Sequence, residues 1–380
     1  MKRELAINGW KKTRDIPFEP QPGPHIRYTD TAPDGSPVYL NAVKRVLGSE
    51  ILSGYRGNAT QAFWGGQNVK RFEKDIEEKF GAAHAIACNS ATSGLWMACA
   101  AIDLQPGDEV IVTPWSMSCS ATVPLLFGAV PIFADIDADT YCLSFEDVKE
   151  KITPATKAII AVDLFGFTFD ERISELASEL GIFVIEDSAQ AIGSKRNGVY
   201  AGLLGDIGVY SFTQGKHLTA GEGGCCVTNN SLLAAKLALV RNHAEAVTSD
   251  AAYKESSMLN SIVDASLVGL NLRMTEIQAA ILSVELKELD KRIYSRNKNS
   301  ERIISRFNRY FKVREIPLHN SLYCLPLRFD DKNVNTKYIV DAIAAELVGD
   351  RVRLDRGVPI SNGYIRPLSS PTQIVPIVDT

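Results

Sequence analysis

Positive charge is not in excess in this chain of 380 residues: 41 Lys and Arg stand against 45 Asp and Glu, a net charge of −4. Without a basic stripe there is no electrostatic footprint for a polyanion, so a nucleic-acid partner is not expected. Paired-cysteine spacing is missing as well. The seven cysteines are odd in number, sit in apolar runs and form no CxxC, which points to reduced core thiols in a cytoplasmic protein. The five histidines have no ligand spacing with acids or cysteines, and no metal is expected. Long apolar runs are lacking too: MKRELAINGWKK is basic, but no apolar stretch follows, which argues against a signal peptide, an anchor or any membrane partner. There is no internal repeat and no low-complexity tract.

What is present suits a large folded enzyme. The length allows two to three domains and a core that needs neither disulfides nor metal. Residues 1–37 are rich in proline and polar side chains (DIPFEPQPGPHIRYTDTAPDGSP) and read as an extended arm. From Val38 onward, helix-like stretches alternate with the short runs EVIVT, VPIFADI, AIIAVDLF, IFVIED, IGVYSF and GCCVTN. Most of these are apolar on both faces, as a sheet covered on each side requires, so an α/β fold with a mostly parallel central sheet between helices is expected over 38–268. After Gly269 the pattern changes to a long helix, Thr275 to about Phe307, leading into a smaller α+β domain over 269–380.

The chemistry gathers around one lysine. In GVYSFTQGKHLTAGEGG, Lys216 lies between an apolar strand bearing a serine and a glycine-rich turn. An amine that condenses with an aldehyde must be fixed, shielded from water and set where a ring has room; a solvated loop lysine is the other reading. About thirty residues upstream, GIFVIEDSAQAIG is a buried strand pattern ending in Asp187. An acid there asks for a cationic partner, or else caps the next helix. Further upstream, CNSATSGLWMACAAI is a hydroxyl-rich turn opening an apolar helix, suited to a phosphate or to a plain cap. A phosphate site, a carboxylate for a pyridinium nitrogen and a lysine for an aldehyde together make the set that pyridoxal 5'-phosphate needs.

With these motifs in place the chain resembles the DegT/DnrJ/EryC1/StrS family of sugar aminotransferases, which have the fold-type I architecture. The likeness runs from about Ser53 to about Leu289, through GGQNVKRFEKDIEEKFG, PGDEVIVTP, GAVPIFADIDADTY, IEDSAQAIG, LGDIGVYSF, GKHLTAGEGG and GLNLRMTEIQAAIL. The resemblance implies that Lys216 is the Schiff-base lysine and the proton shuttle, and that Asp187 pairs with the ring nitrogen. It implies that Gln190 contacts the phenolic oxygen, and that Thr92, Ser93 and Ser211 hold the phosphate. Asn271 would reach the neighbouring subunit's phosphate site, making a homodimer with shared active sites, while Arg273 steadies that loop. His217 would be wall rather than catalyst. The chain departs from the family at four places. Ala91-Thr92 stands for a frequent Gly-Thr, Met117 for an aromatic residue stacked on the ring, and Asp163 in VDLFG for a frequent histidine. The ending GYIRPLSSPTQIVPIVDT implies an abbreviated small domain.

A branch that dehydrates deoxysugars has histidine at the lysine position, so Lys216 favours transamination. The expected reaction moves an amino group from glutamate or glutamine to a keto sugar, nucleotide-linked. An aminotransferase or related enzyme for a cyclitol or other cyclic ketone is the alternative; a non-catalytic regulator of the same fold would have lost the lysine or the acid.

Overall fold

A computed structural model describes residues 35–57, 61–245, 267–308 and 320–326. Nearly all of the expected arm and most of the expected small domain, its closing segment included, lie outside the described residues.

The elements form where periodicity and caps agree. Helix α1 (Val38–Gly48) precedes α2 (Gln67–Phe80), in which Val69, Phe72, Ile76 and Phe80 recur at helical spacing and are buried. Then follow β1 (His84–Cys88), α3 (Ala91–Ala101), β2 (Glu109–Val112), α4 (Cys119–Leu125), β3 (Val130–Phe133), α5 (Phe145–Lys151), β4 (Thr156–Val162), α6 (Arg172–Leu180) and β5 (Phe183–Asp187). The two-residue strands β6 (Lys195–Arg196) and β7 (Val199–Tyr200) make a hairpin, and β8 (Ile207–Ser211), β9 (Gly224–Thr228) and α7 (Ser231–Arg241) complete the series. Beyond it come helices Glu276–Glu285 and Leu289–Phe307, joined by the 3-10 turn Leu286–Glu288. Thr275 opens the first of these with a capping box, exchanging hydrogen bonds with Gln278. Among the described residues no helix is long and apolar enough to cross a membrane.

The main sheet has seven strands in the order β1-β9-β8-β5-β4-β2-β3. The β8–β5, β5–β4, β4–β2 and β2–β3 pairs are parallel, whereas β9 runs against both β8 and β1. All strands except β9 therefore point the same way. Side chains alternate between two apolar layers: Val110, Val112, Ile160 and Ile185 face one cluster, and Ile111, Ile159 and Val184 the other. Both layers are dry, which is why these strands read as unbroken apolar runs.

The exposed edge of β1 is closed by α2. Glu77 accepts the Ala85 N–H at 3.2 Å and Glu73 the Ala87 N–H at 2.8 Å, so two outward backbone donors meet carboxylates rather than another chain. The buried Arg241 guanidinium holds Glu73 at 2.5 Å and the Ala87 carbonyl at 3.0 Å. On the other side of α2, Ala42 and Val46 of α1 pack on Ala280, and Tyr39 and Arg292 both bond to Glu285. Helix Glu276–Glu285 is also tied to α2 directly, Glu276 accepting the Asn68 and Val69 N–H groups at 2.8 and 3.2 Å and the Ser283 hydroxyl donating to Asp75 at 2.7 Å.

Candidate functional site

The loops leaving the C-terminal ends of β1, β2, β5 and β8 meet at one place, where open α/β sheets bind their ligands. The first is the β1–α3 turn. Ser90 caps α3 by accepting the Ser93 N–H at 3.1 Å, which leaves the first-turn amides and the positive end of the helix dipole at the sheet edge. The helix comes this close because residue 224 is glycine: a Cβ there would lie 2.4 Å from the Ser90 carbonyl carbon. Ser211 pairs with Gly224 in the β8–β9 register and so belongs to the same edge. Thr92 is exposed on the first turn of α3. The Ser93 hydroxyl is part of the cap, donating to Asn89 Oδ1 at 2.6 Å and lying 2.9 Å from Ser90 Oγ.

The second loop carries Met117, whose carbonyl accepts the Ser120 N–H, and whose side chain is 42 % exposed. The Ser120 hydroxyl donates to Asp187 Oδ2 at 2.8 Å. Asp187 ends β5, is 4 % exposed, and accepts the Ala189 N–H on Oδ1 at 3.2 Å. Among the described residues no arginine or lysine forms an ion pair with it. Burial therefore pushes its carboxyl above the usual range, opposed by Ser120, the Lys216 charge and the Ala189 amide.

Lys216 is 7 % exposed, and burial lowers its proton affinity, opposed chiefly by the Asp187 charge. Its turn is firmly held: Lys216 N–H donates to Thr213 O at 3.0 Å, Phe212 N–H to Gly223 O at 2.8 Å, and Arg292 Nη1 to His217 O at 3.0 Å. The thiol of Cys119, pushed up to about 11 by burial, takes part in a hydrogen bond with Thr92 and feels the charges of both Asp187 and Lys216. Thr92, Cys119, Ser120, Asp187 and Lys216 thus share one cluster. His217 is fully buried with its proton affinity depressed to about 3, first by burial, so its ring is neutral.

The third wall comes from residues 321–324. Gly166 sits at φ +99, and a Cβ there would lie 2.2 Å from Ser321 O, so this close approach needs glycine. Tyr323 N–H donates to Phe165 O at 2.9 Å, and its ring centroid is 4.5 Å from Lys216 Nζ. Phe165 has φ +59, a left-handed conformation that costs a bulky residue about 1–3 kcal/mol. Gln190 supports it, Oε1 accepting the Phe165 N–H at 3.1 Å.

Behind the site, Asp163 stands two residues beyond Ala161, which pairs with Glu186, so the two acids project on the same face of the sheet. Asp163 accepts the Phe169 N–H at 3.0 Å and the Ser188 hydroxyl at 2.7 Å; Glu186 Oε2 accepts the Leu204 and Gly205 N–H groups. Glu186 Oε1 is left with no donor unless Asp163 carries a proton. Burial and then the Glu186 charge hold the Asp163 carboxyl well above the carboxylate range, so the proton resides on Asp163 and is donated to Glu186. A folded-state value above the unfolded one gives stability that is full below the ordinary carboxylate pKa and is lost as pH rises through the folded value. Asp163→Asn donates at every pH. Its melting temperature should fall less than wild type from acid to alkaline pH; parallel melting profiles would dispose of the shared proton.

Asn271 stands apart from this cluster. Exposed, it accepts from Arg273 Nε at 2.8 Å, and Arg273 Nη1 reaches Asn242 Oδ1 at 3.1 Å. The segment touches the α3 cap through Leu272 O, which accepts the Asn89 N–H. Ser120, Cys119 and Tyr323 escaped sequence reasoning. Ser120 had a faint signal in the hydroxyl-rich SMSCSAT, whereas Tyr323 had none, lying over a hundred residues after Lys216.

A model described as the DegT/DnrJ/EryC1/StrS aminotransferase family matches residues 56–360. The chain is 35 % identical over 301 residues to the L-glutamine:2-deoxy-scyllo-inosose aminotransferase of Streptomyces kanamyceticus, covering 78 % of this chain and 66 % of that protein. It is 38 % identical over 255 residues to the UDP-N-acetyl-3-dehydro-alpha-D-glucosamine 3-aminotransferase of Acidithiobacillus ferrooxidans, covering 66 % and 65 %. The chain spans about 65 % of the length of these relatives. Among solved structures, the E. coli GDP-4-keto-6-deoxy-D-mannose-3-dehydratase with bound hydrated PLP superposes with a TM-score of 0.69 at 26 % identity, covering 83 % of this chain and 82 % of that one.

Proposed function

The chain belongs to the DegT/DnrJ/EryC1/StrS aminotransferase family, and we propose that it is a pyridoxal-phosphate-dependent aminotransferase moving an amino group from glutamate or glutamine to a keto sugar. The observation that carries this reading is a buried amine and a buried carboxyl in one cluster at the C-terminal edge of the sheet, beside a capped helix N-terminus. The residues fit the cofactor. Asp187 is a buried acid whose raised proton affinity a cationic ring nitrogen would reverse, and the α3 amides with Thr92 and Ser211 suit a phosphate.

When bound, pyridoxal phosphate supplies an electron sink for the pair left as a proton leaves the amino-bearing carbon. The rest is the work of this chain's residues. Lys216, its proton affinity lowered by burial, would take that proton and return it to the neighbouring position. Asp187, oriented by Ser120 and Ala189, would keep the facing nitrogen protonated. Thr92, Ser93, Ser211 and the first turn of α3 would anchor the phosphate; Gln190, through Phe165, sets the opposite wall, and Met117 would cover the ring. Tyr323 and the Lys216 turn limit water at the reacting nitrogen.

One relative's name carries a UDP-linked dehydro-glucosamine, the other's a deoxy-inosose with L-glutamine as donor. A nucleotide-linked keto sugar is therefore our first acceptor and a cyclitol ketone the second. The test is reconstitution: the full chain with pyridoxal phosphate should give a visible band that borohydride bleaches. Glutamate or glutamine should then discharge the band and a keto-sugar nucleotide restore it. A panel in which no cyclic ketone restores the band would reject the acceptor class.

The same reading includes a cytoplasmic homodimer built from an arm (1–37), a large domain (38–268) and a small domain (269–380). The seven cysteines without disulfides support a reducing setting, and the exposed Leu40, Leu47, Ile51 and Leu52 on and after α1 offer an apolar face to a second copy. Asn271, exposed beside the α3 cap, would reach the partner's phosphate site. Mixing inactive Lys216→Ala with inactive Asn271→Ala should restore activity in the hybrids, and no recovery would argue against site sharing.

A further inference from the structure

The Lys216 amine rests on an aromatic face. Its Nζ lies 4.5 Å from the centroid of the Tyr323 ring, well inside the range of a cation–π contact; the amine is buried and the tyrosine half-buried. The ring is fixed from several sides. Tyr323 N–H donates to Phe165 O at 2.9 Å, and its carbonyl accepts from Arg296 Nη1 at 3.2 Å. The preceding Leu322 is buried, and Ser321 N–H donates to Ser194 Oγ at 2.9 Å. The hydroxyl end lies across the lysine turn, where a Cβ on Gly215 would stand 3.5 Å from Tyr323 Oη. A segment tied down at four points thus sets one ring beneath one buried amine.

We propose that Tyr323 is a positioning residue: its ring face holds the free Lys216 ammonium, fixing where that nitrogen stands when it is not covalently engaged. The inference rests on Lys216 being the reactive lysine. The other titratable or charged groups around this amine are Asp187 at the end of β5, the Cys119 thiol of α4 and the Cys324 thiol, with neutral His217 alongside and Arg296 near the ring and the Cys324 thiol. Of these, Asp187 supplies the main opposing charge, yet burial still prevails and the amine loses protons more readily than an exposed lysine. The ring offsets part of that desolvation without adding a charge that would compete with Asp187 for a cationic ligand. A cation–π contact to a buried ammonium changes proton affinity by about one pH unit.

The test is the titration of Lys216 itself in the full-length chain freed of any bound aldehyde, by competitive labelling with acetic anhydride across pH and mass spectrometry of the Lys216 peptide. Tyr323→Leu should move the labelling midpoint down by about one unit, while Tyr323→Phe, which keeps the ring, should follow wild type. Phenylalanines with increasing ring fluorination at 323 keep the shape and weaken the face, and the midpoint should fall step by step. Those variants decide the matter if Tyr323→Leu does not fold. A Leu curve overlaying wild type, a Phe curve as displaced as Leu, or no gradation with fluorine would overturn the proposal. The failure of the functional reading looks different: the visible band with pyridoxal phosphate would be missing while the titration shifts remained.

Discussion

Lys216→Ala should fold, should give no borohydride-bleachable band with pyridoxal phosphate, and should lose transamination by about 10⁴-fold, the upper end of what a positioned acid–base group contributes. The expectation follows from where the amine sits. It is 7 % exposed, on a turn closed by the Lys216–Thr213 and Phe212–Gly223 backbone bonds, and burial lowers its proton affinity, which favours release of a proton from the amine. No second lysine is buried in the described residues to replace it. The nearby Cys119 thiol cannot: it is held up at about 11 and remains protonated at neutral pH. Small primary amines added to the variant should recover part of the rate, because the cavity left by the side chain opens at the reacting position. Turnover and a bleachable band retained together in the alanine variant would remove Lys216 from its role.

Much of this arrangement was legible in the chain, for stated physical reasons. The runs that became β2, β4, β5, β8 and β9 stand out because strands buried on both faces must be apolar throughout, while the edge strand β3, with Val130 exposed, stands out by its apolar composition alone. Strand β1 did not stand out: HAIAC has a single β-branched residue, and its place is set by pairing with β9 and by the carboxylates of α2, neither of which is a local signal. The opposite direction of β9 was equally invisible, since periodicity carries no sense of direction. The β6–β7 hairpin had a usable signal in Asn197-Gly198, both at positive φ as a two-residue hairpin turn requires. At the site, Lys216 and Asp187 were readable because each ends or follows a strand whose pattern is local. Ser120 and Tyr323 were not, because their places depend on α4 meeting β5 and on residues 321–324 docking against Gly166, contacts between segments far apart in the chain. Asp163 looked like a mere departure from a family histidine; only the register with Ala161 and Glu186 gives it a partner.

Asp187→Asn should separate activity from stability, moving them in opposite directions. In the cofactor-free chain the carboxyl is buried with one hydroxyl and one amide for company, and its proton affinity is raised by burial above the unfolded value. Such a group stabilises the fold fully only below the ordinary carboxylate pKa, and that contribution is lost as pH rises through the folded-state value. At neutral pH wild type therefore bears a desolvation cost that an amide does not. Asparagine can still accept the Ala189 N–H through its oxygen and donate to the Ser120 oxygen through its nitrogen, so the cofactor-free variant should melt higher than wild type, with the gain growing from acid to neutral pH. Catalysis should go the other way. A neutral amide cannot hold a proton on a ring nitrogen, and loss of one pre-set electrostatic partner costs about 10²- to 10³-fold in rate. The two measurements are a thermal melt of the cofactor-free proteins across pH and the transamination rate of the reconstituted ones. A variant that melts lower but turns over like wild type would mean that Asp187 is a structural acid satisfied by Ser120 and Ala189, and that the electron-withdrawing partner must be sought elsewhere.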